Sequence, residues 1–221
     1  MTLPYEKQVF SQNGEDGIIE FLLQYVTNTS NNFLEIGWGR GNQNCCRNLL
    51  VNKNFTGTGV DPRKQKVKSP GLNFVNKYAT LDNVEEMLGY EGLNPTVFSL
   101  DIDSYDWFLL REMLDKNFRP SIIVHEYNSL LGNDKCYARL TSASYDKRCL
   151  YGASLPAYRL LLENDYRFVT CDSNGVNAFW LHKDYNINDD YKYYSYKKIS
   201  TVYDLTVEDV LEIDNGWIEI R

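Results

Sequence analysis

Apolar residues fall in short runs separated by polar and glycine-bearing turns, and the period of the pattern changes repeatedly along the chain. Ile18, Leu22 and Tyr25 recur at the spacing of one helical face, which predicts a helix from Gly17 to Val26. Ser11 or Asn13 is placed to cap it, and Glu15 and Asp16 suit its positive end. From Asn32 to Gly37 the pattern becomes that of a buried strand running into a glycine-rich turn, with a helix expected over Asn44 to Asn52. Thr56 to Asp61 reads as a second strand ending on a carboxylate, Leu72 to Val75 as a third, and Leu81 to Leu88 as a short helix. Thr96 to Asp101 reads as a fourth strand, followed by a helix whose inner stripe is Trp107, Leu110 and Leu114. Ser121 to Glu126 is a near-continuous apolar run, the signature of a strand covered on both faces. Such alternation implies right-handed crossovers and an open, mostly parallel sheet between two helical layers.

The pattern ends differently. Residues 127–152 have weak periodicity, and an ordered connection of that length is often functional. Leu155, Tyr158 and Leu162 mark another helix. Tyr166 to Cys171 and Val176 to His182 then read as strands joined by Asp172-Ser173-Asn174-Gly175, whose Asn-Gly pair predicts a hairpin. Dinucleotide-binding sheets usually finish with parallel strands, so an antiparallel close argues against a nicotinamide dehydrogenase. The tail, 185–221, is tyrosine-rich at first (Tyr191, Tyr193, Tyr194, Tyr196) and ends in Trp217-Ile218-Glu219-Ile220. It is expected either to pack on the core or to join a dimer contact, leaving monomer and homodimer both open. No internal repeat interrupts a reading of 1–221 as one domain with a core at about 11–184.

Composition narrows the class. The chain has 221 residues, 43% of them hydrophobic, enough for one sizeable core. No run approaches the roughly 18–20 apolar residues of a membrane span. The N-terminus lacks the charged-then-apolar pattern of a secretory signal. A cytoplasmic location away from the membrane is therefore expected. Thirty acidic against 23 basic side chains give a formal charge of −7, whereas a nucleic-acid reader carries a basic stripe. The nearest approach, Arg63-Lys64-Gln65-Lys66-Val67-Lys68, reads as a solvated loop face. Of the five cysteines, Cys45 and Cys46 are adjacent and ill placed for a disulfide, and no Cys/His cluster suggests zinc.

Chemistry concentrates at predicted strand ends. Glu35-Ile36-Gly37-Trp38-Gly39-Arg40-Gly41 has GxGxG spacing, not the GxGxxG that sets a helix N-terminus under a pyrophosphate. S-adenosylmethionine carries no phosphate; it has a zwitterion, a sulfonium and a ribose, so an acidic neighbour such as Glu35 is useful. Asp61, closing the next strand, is placed to grip ribose hydroxyls, or else simply starts the turn at Pro62.

With these residues the chain resembles the class I S-adenosylmethionine-dependent methyltransferases, and more narrowly an FkbM-like group. The blocks carrying the likeness are Ser11 to Asp16, Glu35 to Gly41, Ser99 to Asp103, Glu126 to Ser129, and Tyr151 to Leu155 with Asn174 to Phe179. The resemblance implies a three-layer, Rossmann-like α/β fold with a seven-stranded sheet, mostly parallel with an antiparallel last strand. It places Glu35, Gly37, Gly39, Gly41, Asp61 and Asp101 around the cofactor and brings Gln12 toward it. Relatives often have an aspartate where this chain has Arg40.

Asp101, Asp103 and Asp106 follow one strand and His125, Glu126 and Asn128 the next, so both groups leave the same sheet edge. Such convergence can hold a hard cation on oxygen ligands. Other methyltransferase groups bind magnesium at these strand ends, and Asp101, Glu126 and Asn128 look like the counterpart. The alternative is that Asp101 meets the cofactor, Asp103 and Asp106 start a helix, and Glu126 orders a loop. His125 titrates near neutrality and is a candidate base. Neighbours on a strand point oppositely, so Glu126 is the choice for the cleft, and His182 is expected to be structural. Asn177 either pins the hairpin or faces an acceptor, and Tyr137, Tyr145 and Tyr151 form an aromatic lid or pack ordinarily. The leading expectation is an O-methyltransferase with Asp101, Glu126 and His125 as catalytic candidates, acting on a small molecule or a sugar or glycan precursor. A non-catalytic S-adenosylmethionine-binding module or regulatory subunit is the alternative.

Overall fold

A computed structural model describes residues 3–27, 30–65, 69–143, 149–188, 190–199 and 205–221. Its centre is a seven-stranded sheet built from β1 (Asn32–Ile36), β2 (Thr56–Val60), β3 (Leu72–Val75), β4 (Val97–Leu100), β5 (Ile122–Glu126), β7 (Tyr166–Cys171) and β8 (Asn177–His182). The spatial order is β3-β2-β1-β4-β5-β8-β7, parallel except that β8 runs antiparallel to both its neighbours. This is the expected seven-stranded sheet, mostly parallel with one antiparallel strand. Strand order reverses beside β1, since the chain first winds outward to β3 and then resumes on the other side at β4. Ligands of open α/β sheets bind at such a switch point, beyond the carboxyl ends of the strands. Register fixes what meets there: Ile36 aligns with both Val60 and Leu100, and Leu100 with His125. The glycine turn, Asp61 and Asp101 therefore leave the sheet at one level.

Alternation along the strands divides the core. Leu34, Ile36, Phe98, Leu100 and Ile123 face one layer, with α3 (Val84–Glu91), α4 (Asp106–Asp115) and α5 (Leu155–Leu162). Phe33, Val97, Ile122 and Val124 face the other, with α1 (Glu15–Leu23) and α2 (Arg47–Asn52). The resulting three layers bury every residue of β4 and all but the last of β5. Strand and hairpin limits lie within a residue of the expected ones.

Helix starts differ more, and at each a local side-chain contact takes up the first N–H groups or hydroxyls. Neither Ser11 nor Asn13 caps α1, whose N-cap is Gly14. The Ser11 hydroxyl instead donates to Asp16, and Asp16 Oδ2 also accepts the backbone N–H groups of Val9, Phe10 and Ser11, each at 2.8 Å. α2 begins at Arg47, not Asn44, because the preceding N–H groups turn onto Glu35. The stretch expected as one helix from Leu81 opens as a 3-10 turn, Leu81–Asn83, held by a capping box between Thr80 and Asn83, and continues as α3.

Residues 127–152 contain a 3-10 turn, Ser129–Leu131, and the strand β6 (Tyr137–Arg139). β6 pairs antiparallel with β9 (Trp217–Glu219), so the end of the chain folds back onto this segment. α6 (Val207–Glu212) sets Val210 against Leu130, Leu131, Cys149 and Leu150. Buried Arg139 is held by both oxygens of Asp214 and lies over the Trp217 ring. The tyrosine-rich stretch covers the edge of β7, with Tyr194 O accepting from Cys171 N–H and Tyr194 N–H donating to Thr170 Oγ1. All five cysteines are free thiols. Among the described residues no helix is long and apolar enough to cross a membrane.

Candidate functional site

At the carboxyl ends of β1, β2, β4 and β5 the strand exits nearly touch. Gly37 and Trp38 donate their N–H groups to Val60 O at 2.9 and 3.1 Å, and Asp101 N–H donates to Ile36 O at 2.9 Å. Gly37 has φ +97°, and a Cβ there would lie 1.7 Å from Asp101 O, so only glycine lets these two exits pass. The turn then brings Gly39 N–H to within 2.7 Å of Asp61 Oδ2. The glycine bend and the carboxylate ending the second strand are thus joined by a hydrogen bond.

Two adjoining cavities open there, of about 480 and 470 Å³, both bordered by Gly37, Arg63, Asp101 and Asp103. Around Asp61 the first is lined by Val60, Pro62, Ala79, Ile102 and Tyr105. The second is acid-rich: Glu15, Glu35, Asp101, Asp103 and Glu126 face it, with Gln12, Tyr151 and Asn177.

Burial alone would raise the pKa of Asp61, but hydrogen bonds from Arg63 and from Gly39 N–H outweigh it and hold the carboxyl below its ordinary value. Arg63, expected on a solvated loop face, is more than half exposed and also grips Asp61, while Lys66 and Lys68 of that run lie outside the described residues. Glu35 is buried and pushed up to about 7 by desolvation, against the lowering effect of its donors. Those donors are Cys46 N–H at 2.8 Å, Cys45 N–H at 3.1 Å and the Asn44 amide at 3.4 Å, so Glu35 closes the loop into α2 while bordering the second cavity. Gly41 borders neither cavity; it closes the turn through Trp38 O.

Asp101, Asp103 and Glu126 each place one carboxylate oxygen within 4.8 Å of the others. Desolvation in the cleft, then the charges of Asp103, Asp106 and Glu35, push Asp101 well above the usual carboxylate range, although its side chain keeps access to solvent. Desolvation and the charge of Asp101 do the same to Glu126, whose Oε2 is buried without a hydrogen-bond partner. Asp103, not Asn128, completes this group. Asn128 is fully buried and used up: its amide donates to Cys149 O and Tyr151 O at 2.7 and 3.1 Å, and its oxygen accepts from Leu130 N–H. Asp106 turns away to order the start of α4, accepting from Ile102 and Ser104 N–H groups.

The expectation for His125 is corrected as well. His125 points to the sheet face covered by α5, lines neither cavity, and is fully buried and stacked on Tyr158 with ring centroids 3.7 Å apart. Trp180 Nε1–H donates to its Nε2 at 2.8 Å, which leaves Nδ1–H to donate to Glu126 O at 3.0 Å. Desolvation drives its pKa down to about 3, so it is a neutral packing residue and no base. Asn177 borders the second cavity, and its amide donates not within the hairpin but to Glu15 Oε1 of α1 at 2.8 Å. Tyr151 borders that cavity, Tyr137 sits in β6, and Tyr145 lies outside the described residues. Glu15 and Arg63 are the site residues that sequence reasoning missed. Arg63, two positions beyond a strand-end aspartate, carried a readable signal; for Glu15, whose partner is 162 residues away, there was none.

No family model matches the chain, and no curated protein matches it. Among solved structures it is similar to a protein from Corynebacterium glutamicum (13% identity, covering 80% of this chain and 82% of that one, TM-score 0.49). It is also similar to a putative ribosomal RNA methyltransferase from Plasmodium falciparum (12% identity, 79% and 97% covered, TM-score 0.44). A third is a putative O-methyltransferase from Nostoc punctiforme (11% identity, 76% and 55% covered, TM-score 0.48). At these identities and scores the likenesses lend no weight to any one activity. The narrower resemblance, to an FkbM-like group, is withdrawn: the solved structures to which the chain is similar have the general methyltransferase fold and not that group's. The blocks that suggested it have local structural work here: Asp16 gathers N–H groups, Asn128 pins a loop, and Asp172 accepts from Asn174, Val176 and Asn177 to shape the hairpin.

Proposed function

We propose that the protein is an S-adenosylmethionine-dependent methyltransferase whose acceptor is a small molecule, or a sugar or glycan precursor, methylated on oxygen. The observation that carries this reading is the Gly39–Asp61 contact at the switch point, at the boundary of two cavities of ligand size. The first cavity fits a nucleoside: Asp61 is a hydrogen-bond acceptor for ribose hydroxyls, and Val60, Pro62, Ala79 and Ile102 offer apolar walls to a planar base. The second fits the methionine half of the cofactor, because its carboxylates favour a sulfonium and an ammonium. When bound, S-adenosylmethionine supplies an electrophilic methyl group. The chain's part is to hold the acceptor hydroxyl in line and to receive its proton, and Glu126 or Asp101, both raised in pKa, are the acceptors for that proton. Asp101, Asp103 and Glu126 are also the oxygen donors that would hold magnesium, which would lower the pKa of the same hydroxyl.

Calorimetric titration with S-adenosylhomocysteine and NAD side by side tests the cofactor assignment. Binding of the first and none of the second is expected; the reverse would end the reading. Transfer of labelled methyl groups to a panel of sugars and phenols, with and without magnesium, then tests catalysis.

A further inference from the structure

Asp61 already holds a full set of donors. Oδ1 accepts from the backbone N–H of Arg63 at 2.7 Å and from its Nε at 2.9 Å; Oδ2 accepts from Gly39 N–H at 2.7 Å and from Arg63 Nη2 at 2.9 Å. A carboxylate offers about four lone-pair positions. A vicinal ribose diol donating to it has no position left. The two backbone donors are part of the turns and stay. The two side-chain donors belong to a guanidinium that is 57% exposed and borders both cavities, so it can swing out without unpacking anything.

We infer that Arg63 is a latch on the nucleoside subsite: in the free protein its guanidinium takes the place of the ribose hydroxyls on Asp61, and a ribose-bearing ligand must displace it. The inference rests on the reading of the first cavity as a nucleoside compartment. It sets Arg63 apart from an ordinary binding residue, because its removal should strengthen binding. The apparent affinity of the free protein is its intrinsic affinity multiplied by the fraction of molecules with the latch open. Once displaced, the guanidinium remains within electrostatic reach of Asp101 and Asp103, the other two carboxylates that act on it. Binding of the nucleoside thus shifts a positive charge toward the acid-lined compartment.

The test uses adenosine and 2′,3′-dideoxyadenosine as probes, titrated calorimetrically into the full-length wild type, Arg63→Gln and Arg63→Lys, with nitrogen NMR of the Arg63 Nε–H signal in the wild type. For adenosine, Arg63→Gln should bind roughly two- to five-fold tighter than wild type, the gain expected from removing a half-exposed ion pair. Arg63→Lys should fall between them, since it keeps the charge but loses the two-pronged geometry. Dideoxyadenosine, which does not compete for Asp61, should bind all three proteins alike, and adenosine alone should move the Arg63 signal. Equal or weaker adenosine binding by Arg63→Gln would overturn the latch while leaving the nucleoside reading in place. If neither adenosine nor S-adenosylhomocysteine binds wild type or Arg63→Gln, the nucleoside reading falls and the latch with it.

Discussion

Replacing His125 by glutamine should remove a specific acid sensitivity from the fold. His125 is fully buried, accepts from Trp180 Nε1–H, and has a pKa lowered to about 3 by desolvation. In the unfolded chain the same imidazole titrates near 6.5. Between these values the unfolded state binds a proton that the folded state refuses, so stability falls as pH drops through this window and is fully retained above it. At pH 5 the loss is about 1.5 pH units' worth of proton binding, or about 2 kcal/mol, relative to pH 7.5. Glutamine can accept from Trp180 and donate to Glu126 O, but it does not titrate. The buried carboxyls complicate a single curve, because Glu35, pushed up to about 7, and Asp106, pushed up to about 6, favour the fold as pH falls. The measurement is therefore a difference: urea unfolding of wild type and His125→Gln at pH 7.5 and pH 5. The gap between the two proteins should shift by about 2 kcal/mol in favour of the variant at the lower pH. A gap that does not change with pH would mean that His125 titrates normally, and would restore it as a candidate base.

Asp61→Ala should weaken S-adenosylhomocysteine binding about 10- to 100-fold in calorimetry, the loss expected for hydrogen bonds to a charged acceptor, with circular dichroism checking the fold. Gly37→Ala should lower the urea unfolding free energy by about 3 kcal/mol or prevent folding, because a positive φ and a 1.7 Å approach to Asp101 O meet at one atom. Glu126→Gln should raise the melting temperature at pH 8 but not at pH 4. Its carboxyl is raised in the fold, so the cost to stability grows as pH climbs above the ordinary carboxyl value of about 4.3 and is nearly absent at pH 4. The same variant should lose most methyl transfer, with a much smaller loss of cofactor affinity because the second cavity gives up one of its carboxylates, measured by labelled-methyl assay and calorimetry.

The sheet was legible because its signals are local. Thr96 to Asp101 and Ser121 to Glu126 read as buried strands, and Asn174-Gly175 marks the hairpin without reference to anything distant. Gly39 and Asp61 could be placed together because parallel strands bring their carboxyl ends to one edge. What sequence reasoning missed depends on partners far along the chain. Neither β6 nor β9 exceeds three residues, too short for a period, and their pairing joins Tyr137 to Glu219. Asn128 carries the residue type of a metal ligand, yet its amide is spent on Cys149 and Tyr151 carbonyls more than 20 residues away. His125 resembles a base until Trp180, 55 residues later, supplies a donor to its ring.

The chemistry of β5 is decided on the face covered by α5. Both faces of this strand are buried, so hydrophobicity alone does not say which of His125 and Glu126 should face the ligand. A slip of one residue would exchange them, since strand neighbours point to opposite faces. Register prevents the slip: Glu126 pairs with Asn177 and His125 with Ala178 in the antiparallel partner. The behaviour of the two side chains makes that register the stable one. An imidazole can lie neutral between Tyr158 and Trp180, with both nitrogens satisfied. A carboxylate in that place would meet a face of the Tyr158 ring, and its charge would have to be neutralised or cost several kcal/mol. By excluding a carboxylate from the α5 face, the packing of Tyr158 and Trp180 directs Glu126 to Asp101 and Asp103, where desolvation and the neighbouring charges raise its pKa.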